Sequence, residues 1–314
     1  AWGATAWAVW VGRKDARAQE CTRGGDYAPW VPSTSPLCPA GAARGCARCA
    51  GWWISSGPGW ARFGWAGPGD CPVSSLLLGV DIGTASSKGV LVDADGTVVA
   101  TATRAHEVSM PHPGWVEHDA QAVWWADFTA ISKELTAAAR DQVGRVELAA
   151  VGVSGIGPCL LPVDSDDRPL RPAILYGVDT RATVEIDELT KALGATTILE
   201  RCGSVLTSQS VGPKLAWLRA NEPETWAATR RFLMAHSFIV RRLTGSYVLD
   251  HHSASQFTPL YDPVEHRWID EWTDLIAPGL ELPPRCCPTG VVGDGAAGVT
   301  GPTGIPPGPT VLRG

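Results

Sequence analysis

The chain has 314 residues, of which 45% are hydrophobic and 18% are charged, so it has the length of about two domains and enough apolar mass for a sizeable core. Its net charge of −6, from 26 basic and 32 acidic residues, argues against a surface built for nucleic acid or for an anionic membrane. No apolar run approaches the roughly 20 residues that span a bilayer, and the first residues lack the pattern of a secretion signal.

The composition changes near residue 75. Residues 1–74 hold seven basic and four acidic residues, together with eight of the 15 Trp and five of the nine Cys. They show neither helical nor strand periodicity, so we predict an irregular, disordered extension over 1–74 and a folded domain over 75–314. With an odd number of cysteines and no secretion signal, we expect a reducing, cytoplasmic compartment.

Four cysteines of the extension admit a zinc site or a redox CxxC as an alternative: Cys21, Cys38, Cys46 and Cys49. A structural zinc site usually shows a second close pair of ligands at matched spacing, and none follows here. A redox CxxC requires a strand before it and a helix after it, and neither pattern is visible. We therefore favour the disordered extension over both alternatives.

From residue 75 the pattern is that of an α/β domain. Short apolar runs predict an antiparallel meander of three strands over 75–81, 88–93 and 97–102. Apolar residues at helical spacing then predict a helix that Asp119 caps. Further strands are predicted over 146–153, 160–163 and 173–176, and further helices over 182–193, 213–221 and 232–243, with Gly245 ending the last helix. This order is that expected of the ribonuclease-H-like fold of actin, sugar kinases and chaperone ATPases.

The turn between the first two strands has the composition of a phosphate site. Gly83 lets backbone N–H groups approach an anion closely, and Asp81 at the strand end is suited to hold a magnesium ion. Hydroxyl donors surround that glycine, at Thr84, Ser86 and Ser87. An ordinary hairpin turn rich in small residues is the alternative, because D-x-G-T alone is only moderately specific.

An ordered series of segments resembles the FGGY carbohydrate kinases, the family of xylulokinase, gluconokinase and glycerol kinase. The stretch Gly79–Asp93 is similar to the first phosphate motif of that family. The later matches follow in the family's order over about residues 76–313: 113–119 with the Trp124–Trp125 helix, 152–155 with 160–164, 171–181, and 249–262. The series is far more specific than any one of its motifs.

The resemblance implies an ATP-dependent carbohydrate kinase that uses ATP and Mg²⁺. It places Asp250 as the catalytic base and Asp81 at the magnesium, and it implies ATP contacts from Gly83, Thr84, Ser86, Ser87 and Lys88. It implies a sugar side shaped by Trp115, Glu117, Asp179 and Arg181. From the residues alone, a cap for the turn after it is the preferred interpretation of Asp250, and Arg181 is equally a structural salt-bridge partner. The expected partners are ATP and a small sugar or polyol, with no nucleic acid or membrane and with a homodimer left open.

The chain departs from the family pattern at two places. Ile156–Pro158 stands where xylulokinases carry Gln-Met-His, so xylulose is in doubt as the substrate. The resemblance also implies a chain truncated before the C-terminal domain, which carries the second phosphate loop and the adenosine pocket. A catalytically silent fragment or sugar-binding relic is therefore the main alternative. A ROK-type glucokinase or a chaperone-like ATPase fits the ordered motifs less well.

Overall fold

The computed structural model describes residues 52–57, 60–65, 75–143, 147–284, 286–287, 290–295, 300–305 and 309–313. The first two strands, β1 (Trp52–Gly57) and β2 (Trp60–Trp65), form an antiparallel hairpin inside the segment that we expected to be irregular. Aromatic residues in both strands, with the β-branched Ile54 in the first, favour such a pairing. The four cysteines of the extension lie outside the described residues, and the domain boundary at residue 75 stays a prediction.

The remaining described strands are short except around the first phosphate motif. In chain order they are β3 (Ser75–Ile82), β4 (Ser86–Val92), β5 (Val98–Ala105), β6 (Glu117–His118), β7 (Glu147–Gly155), β8 (Leu161–Val163), β9 (Ala173–Ile174), β10 (Arg231–Leu233), β11 (Leu249–Asp250), β12 (Tyr261–Asp262), β13 (Arg267–Trp268), β14 (Cys286–Cys287), β15 (Gly290–Asp294) and β16 (Thr310–Arg313).

The helices lie between these strands, and four of them follow one another between β9 and β10. A π-helical segment, Ala120–Trp125, leads directly into the longest of them. In chain order they are α1 (Ala126–Val143), α2 (Thr183–Leu193), α3 (Ala195–Cys202), α4 (Val211–Asn221), α5 (Pro223–Ala228), α6 (Ala235–Thr244), α7 (His251–Ser255), α8 (Asp270–Ile276) and α9 (Thr300–Thr303). None of the helices in the described ranges is long and apolar enough to cross a membrane.

A six-stranded sheet organises the domain, with the strand order β15-β16-β7-β3-β4-β5. Strands β3, β4 and β5 form an antiparallel meander, whereas β7 runs parallel to both β3 and β16. The prediction of a meander followed by a helix and further strands is therefore confirmed. Because β3 and β7 are parallel neighbours, their carboxyl ends meet at one edge of the sheet, where the phosphate motif begins.

The core lies between one face of this sheet and the helices. Alternate residues of β3 are buried on that face, and so are Phe128, Ile131 and Leu135, which share one face of α1. Gly89 of β4 allows this close approach, because a Cβ atom there would lie 3.0 Å from Leu135 Cδ1 and closer still to Ile131. Asp119 caps the helical segment as predicted, since its Oδ1 accepts from the backbone N–H groups of Gln121 and Ala122, each at 2.8 Å.

The predicted helix over 232–243 differs from the structure at its start. Phe232 lies in strand β10, which pairs with β8, and helix α6 begins only at Ala235. Pairing with a distant strand overrides the local helical pattern at this position. The end of the helix is as predicted, because Gly245 adopts a left-handed conformation with φ of 73°.

Candidate active site

The turn after β3 presents the groups predicted for an anion. Asp81 is half-buried, and its Oδ1 accepts a 2.6 Å hydrogen bond from Ser154 Oγ of the neighbouring strand β7. The N–H of Gly83 donates to the Ser86 carbonyl at 3.1 Å, and a Cβ atom at Gly83 would lie 2.5 Å from that oxygen. The tight turn therefore requires glycine, and it places the Asp81 carboxylate beside the backbone of the turn.

Three of the other predicted residues, Ser86, Ser87 and Lys88, begin β4 and do not all lie on one face of the sheet. Strand register pairs Asp81 with Lys88 and Ile82 with Ser87, and opposed residues of a sheet share a face. Lys88 is exposed on the face of Asp81, and the half-buried Ser86 shares that face because it lies two residues away. Ser87 is 0% exposed on the core face, so the structure does not bring it to the turn's open side.

Two histidines that sequence reasoning missed lie beneath the turn. His106 follows β5, and its ring contacts the Gly83 carbonyl through Nε2 at 3.1 Å and Asp127 Oδ2 through Nδ1 at 2.7 Å. The ring of His118 lies edge-on to it, with centroids 5.0 Å apart. Burial and, to a smaller extent, the neighbouring His106 lower the pKa of His118 to about 4, against the opposing effects of the Thr84 backbone and Asp127. One histidine under the turn is thus held neutral near pH 7.

The four residues predicted for the sugar side form a buried ion-pair cluster. Arg181 donates to Asp179 Oδ2 at 2.7 Å and lies 2.8 Å from Glu117 Oε1, and these side chains are 0–6% exposed. Its guanidinium also lies 4.1 Å from the ring centroid of Trp115. Arg171 adds a second cation against Glu117. The charged groups pair with one another, as in the structural alternative for Arg181. Nη1 of Arg181 and Nη1 of Arg171 are nevertheless buried without a hydrogen-bond partner among the described residues, so the sugar-side role of this cluster stays a prediction.

The carboxylate of Asp250 is engaged as a helix cap. Its Oδ1 accepts the Ser253 backbone N–H at 2.7 Å, and its Oδ2 accepts Ser253 Oγ at the same distance. The ring of His236 lies 3.7 Å from Oδ2, and Asp250 itself is only 5% exposed. These contacts are those of the capping alternative, and the role of Asp250 as catalytic base stays a prediction.

A cavity of about 350 Å³ lies beside the segment that follows Asp250. The nine described residues that line it carry no charge, and all but two present hydroxyl or amide groups: Pro158, Ser204, Val205, Thr207, Gln209, Ser210, Ser255, Gln256 and Thr258. Pro158 belongs to the loop after β7 in which the chain departs from xylulokinases. The sequence analysis did not predict that residues 204–210 line a cavity. The polar run between two helices was the signal that could have indicated it.

Two paths of contacts join the cavity to the phosphate turn. On one path, Thr84 Oγ1 lies 3.1 Å from Tyr176 Oη, and the next residue, Gly177, packs against Gln209 of the cavity wall. On the other path, the Ile156 N–H donates to the carbonyl of Ile82 at the start of the turn at 2.7 Å, and a Cβ atom at the next residue, Gly157, would lie 3.0 Å from Gln256 Oε1 of the cavity wall. Turn and cavity are therefore parts of one packed assembly.

A buried lysine supports the cavity wall from behind. Lys214 is 1% exposed and donates to the carbonyls of Ser208 and Ser210. Burial lowers its pKa to about 8, against the opposing effect of Asp179. The backbone over 207–210 is thus held by a cation that the cavity itself does not contact.

Comparison with known proteins identifies the family. Residues 76–309 match the model described as the FGGY family of carbohydrate kinases, N-terminal domain. The chain belongs to the FGGY family of carbohydrate kinases. A solved FGGY relative, the xylulose kinase of Rhodospirillum rubrum, superposes with a TM-score of 0.69 and 31% identity over 76% of this chain and 48% of that chain. The recognition and the ribonuclease-H-like fold predicted from the sequence are therefore confirmed.

Curated FGGY relatives differ in the substrate that their names give. The xylulose kinase of Lactococcus lactis is 29% identical over 200 residues, which are 64% of this chain and 39% of that protein. The glycerol kinase of Nocardia farcinica is 30% identical over 228 residues, which are 71% of this chain and 45% of that protein. The chain thus spans less than half the length of these FGGY relatives.

The turn fits a magnesium–phosphate group by its donor set. One oxygen of Asp81 is bound by Ser154, which leaves Oδ2 as a hard oxygen ligand of the kind that Mg²⁺ prefers. The Lys88 ammonium on the same face suits phosphate oxygens, and Gly83, whose own N–H is bonded to Ser86, lets the backbone of the turn approach them closely. Within this FGGY domain, the described residues that would hold such a group are therefore Asp81, Gly83, Thr84, Ser86 and Lys88.

Proposed function

We propose that this chain forms the acceptor-binding half of an ATP-dependent carbohydrate kinase, which transfers the γ-phosphate of ATP to a hydroxyl of a sugar or polyol. The observation that carries the proposal is the union, in one packed assembly, of an anion-suited turn and an uncharged cavity whose lining residues mostly bear hydroxyl or amide groups. Membership of the FGGY family supports the reaction class. The xylulose, glycerol and gluconate kinases among its relatives leave the substrate open.

On the phosphate side, Asp81 is proposed to hold Mg²⁺, and Gly83 and Thr84 are proposed to contact the transferred phosphoryl group. The metal supplies charge neutralisation of the phosphate oxygens when it is bound. The turn's own contribution is orientation, because the Gly83 N–H is fixed to Ser86 and the Thr84 hydroxyl is fixed near Tyr176. Fixed donors lower the cost of aligning phosphorus with an attacking hydroxyl.

On the acceptor side, the cavity favours a neutral, hydroxyl-rich ligand. Hydroxyl and amide groups both donate and accept hydrogen bonds, as a polyol requires. Its nine lining residues offer no cation to a sugar acid, so an aldonate loses the charge-assisted contact that would favour it. The proposed acceptors are therefore neutral sugars and polyols.

Asp250 is proposed as the base that accepts the proton of the attacking hydroxyl. A carboxylate within hydrogen-bond reach of a weak nucleophile contributes typically 10²–10⁴-fold to the rate. The observed cap favours a second candidate function, a sugar-binding domain without turnover, because both oxygens of Asp250 already accept hydrogen bonds from Ser253. A cytoplasmic location is part of the same proposal, supported by the buried free thiols of Cys159 and Cys202.

Calorimetric titration of the 314-residue chain tests the acceptor site. Glycerol, D-xylulose and D-gluconate form the ligand panel, and at least one neutral member is expected to bind saturably and more tightly than gluconate. Gln256→Ala removes a lining amide and is expected to weaken binding roughly 3–10-fold, as loss of one hydrogen bond predicts. Gln121→Ala, an exposed position away from the cavity, is the matched control. Preferred binding of gluconate, or equal effects of both variants, contradicts the proposed site.

A further inference from the structure

The contacts of His106 concentrate on the phosphate turn. Its backbone N–H donates to the Ala85 carbonyl at 3.1 Å, and its ring nitrogen Nε2 lies 3.1 Å from the Gly83 carbonyl. The other ring nitrogen, Nδ1, lies 2.7 Å from Asp127 Oδ2 in the first turn of α1. The two side chains are 7% and 14% exposed. His106 thus connects the phosphate turn to α1, the longest helix in the described part of the chain.

Both ring nitrogens of His106 face an acceptor. Nε2 faces the Gly83 carbonyl, and Nδ1 faces the Asp127 carboxylate at hydrogen-bond distance, so the orientation of the ring is fixed from both sides. The other titratable group facing this ring in the described part of the chain is His118, which is held neutral and whose Nδ1 accepts the Trp124 indole N–H at 3.0 Å.

The hydrogen bond between His106 Nε2 and the Gly83 carbonyl also orients the peptide between Gly83 and Thr84. In a trans peptide the C=O and the following N–H point in opposite directions. Because His106 holds the Gly83 carbonyl, the Thr84 N–H points away from the ring and the carbonyl dipole is turned from an approaching anion. We infer that His106, whose ring is oriented by Asp127, is a positioning residue that keeps this turn in its anion-binding conformation. The inference rests on the proposed function for the role of the turn.

The experiment uses the full chain with Asp127→Asn, His106→Gln and the control Glu134→Gln. Glu134 is a carboxylate of the same helix α1 whose partner, Arg104, is exposed. Magnesium tripolyphosphate, a polyphosphate without a nucleoside, is the probe. Asp127→Asn and His106→Gln are expected to raise its dissociation constant roughly tenfold, whereas Glu134→Gln leaves it unchanged. Melting curves verify that each variant is folded.

Two spectroscopic readouts separate positioning from simple packing. In ¹⁵N spectra of the histidine rings, Asp127→Asn is expected to change the chemical shift of His106 Nδ1, which faces that carboxylate, whereas Glu134→Gln leaves it unchanged. Exchange of the Gly83 N–H, which is bonded to Ser86, is expected to accelerate in both variants but not in the control. A His106 ring spectrum that Asp127→Asn leaves unchanged, or exchange equal in all variants, overturns the inference. Failure of the unmodified chain to bind tripolyphosphate refutes the proposed function of the turn instead, while the ring and exchange data still decide the role of His106.

Discussion

Replacing Asp179 by alanine tests the structural reading of the buried ion-pair cluster. Its carboxylate accepts the Val116 backbone N–H at 2.7 Å, the Arg181 backbone N–H at 3.1 Å, and three further contacts from the Arg181 guanidinium at 2.7–3.0 Å. The substitution leaves Arg181 buried, and its other carboxylate partner, Glu117, also pairs with Arg171. Removing one member of a buried pair costs about 3–5 kcal/mol, a large part of a domain's stability.

Asp166→Ala is the matched control, because Asp166 makes a similar bond to Arg168 at 2.6 Å with side chains 61% and 73% exposed. An exposed pair contributes about 0–1 kcal/mol. Urea unfolding followed by tryptophan fluorescence gives both free energies of unfolding. We expect Asp179→Ala to lose at least about 2 kcal/mol more than Asp166→Ala. Equal losses of unfolding free energy in the two variants refute the structural interpretation. Sugar binding that is also weakened in Asp179→Ala then indicates that Asp179 contacts the ligand.

Three further predictions concern stability and the role of Asp250. The pKa of His118 is lowered to about 4 in the folded chain from an ordinary 6.5, so stability is lost as pH falls from about 6.5 to about 4, by up to about 3 kcal/mol. Urea titrations across that range check this, and a variant His118→Gln with an equally steep loss contradicts it. Gly89→Ala is expected to lower the free energy of unfolding by about 1–3 kcal/mol, because the added methyl group forces Ile131 and Leu135 away from β4. The control Lys88→Ala, at an exposed neighbouring position, is expected to lower it by about 0.5 kcal/mol or less. Equal melting temperatures of the two variants argue against tight packing at Gly89. Asp250→Asn retains a capping oxygen and is expected to stay within about 0.5 kcal/mol of the unmodified chain, while Asp250→Ala loses about 0.5–2 kcal/mol. In an active fusion to the C-terminal domain of a relative, Asp250→Asn is expected to lower turnover by roughly 10²–10⁴, and near-normal turnover leaves Asp250 a cap alone.

Local signals accounted for most of the fold. The meander follows from short apolar runs separated by turns, and Asp119 and Gly245 mark helix ends because capping depends on residues within one turn. The start of α6 was misjudged because strand β10 is defined by its pairing with β8, 70 residues earlier in register. Such pairing leaves no trace in the local pattern of Phe232.

The candidate site was predictable only where its residues are contiguous. The turn from Asp81 carries its own composition, so its groups could be named from the sequence. The ring of His106 meets Gly83 only because β5 returns beside the turn, 23 residues later. Likewise the burial of Glu117 by two arginines depends on partners 54 or more residues away. Residue type therefore indicated the chemistry, whereas burial and pairing decided which groups face a ligand.

Above all, one packed domain is proposed to hold an acceptor cavity and a separate phosphate turn. Amide chemical-shift mapping of the 314-residue chain, with a bound polyol and with magnesium tripolyphosphate in separate titrations, tests it most directly. The polyol is expected to shift amides around Thr207–Ser210 and Ser255–Gln256, and the polyphosphate to shift those of Gly83–Ser86. Shifts from both ligands at a single shared site, or saturable binding that leaves these segments unperturbed, would contradict the account.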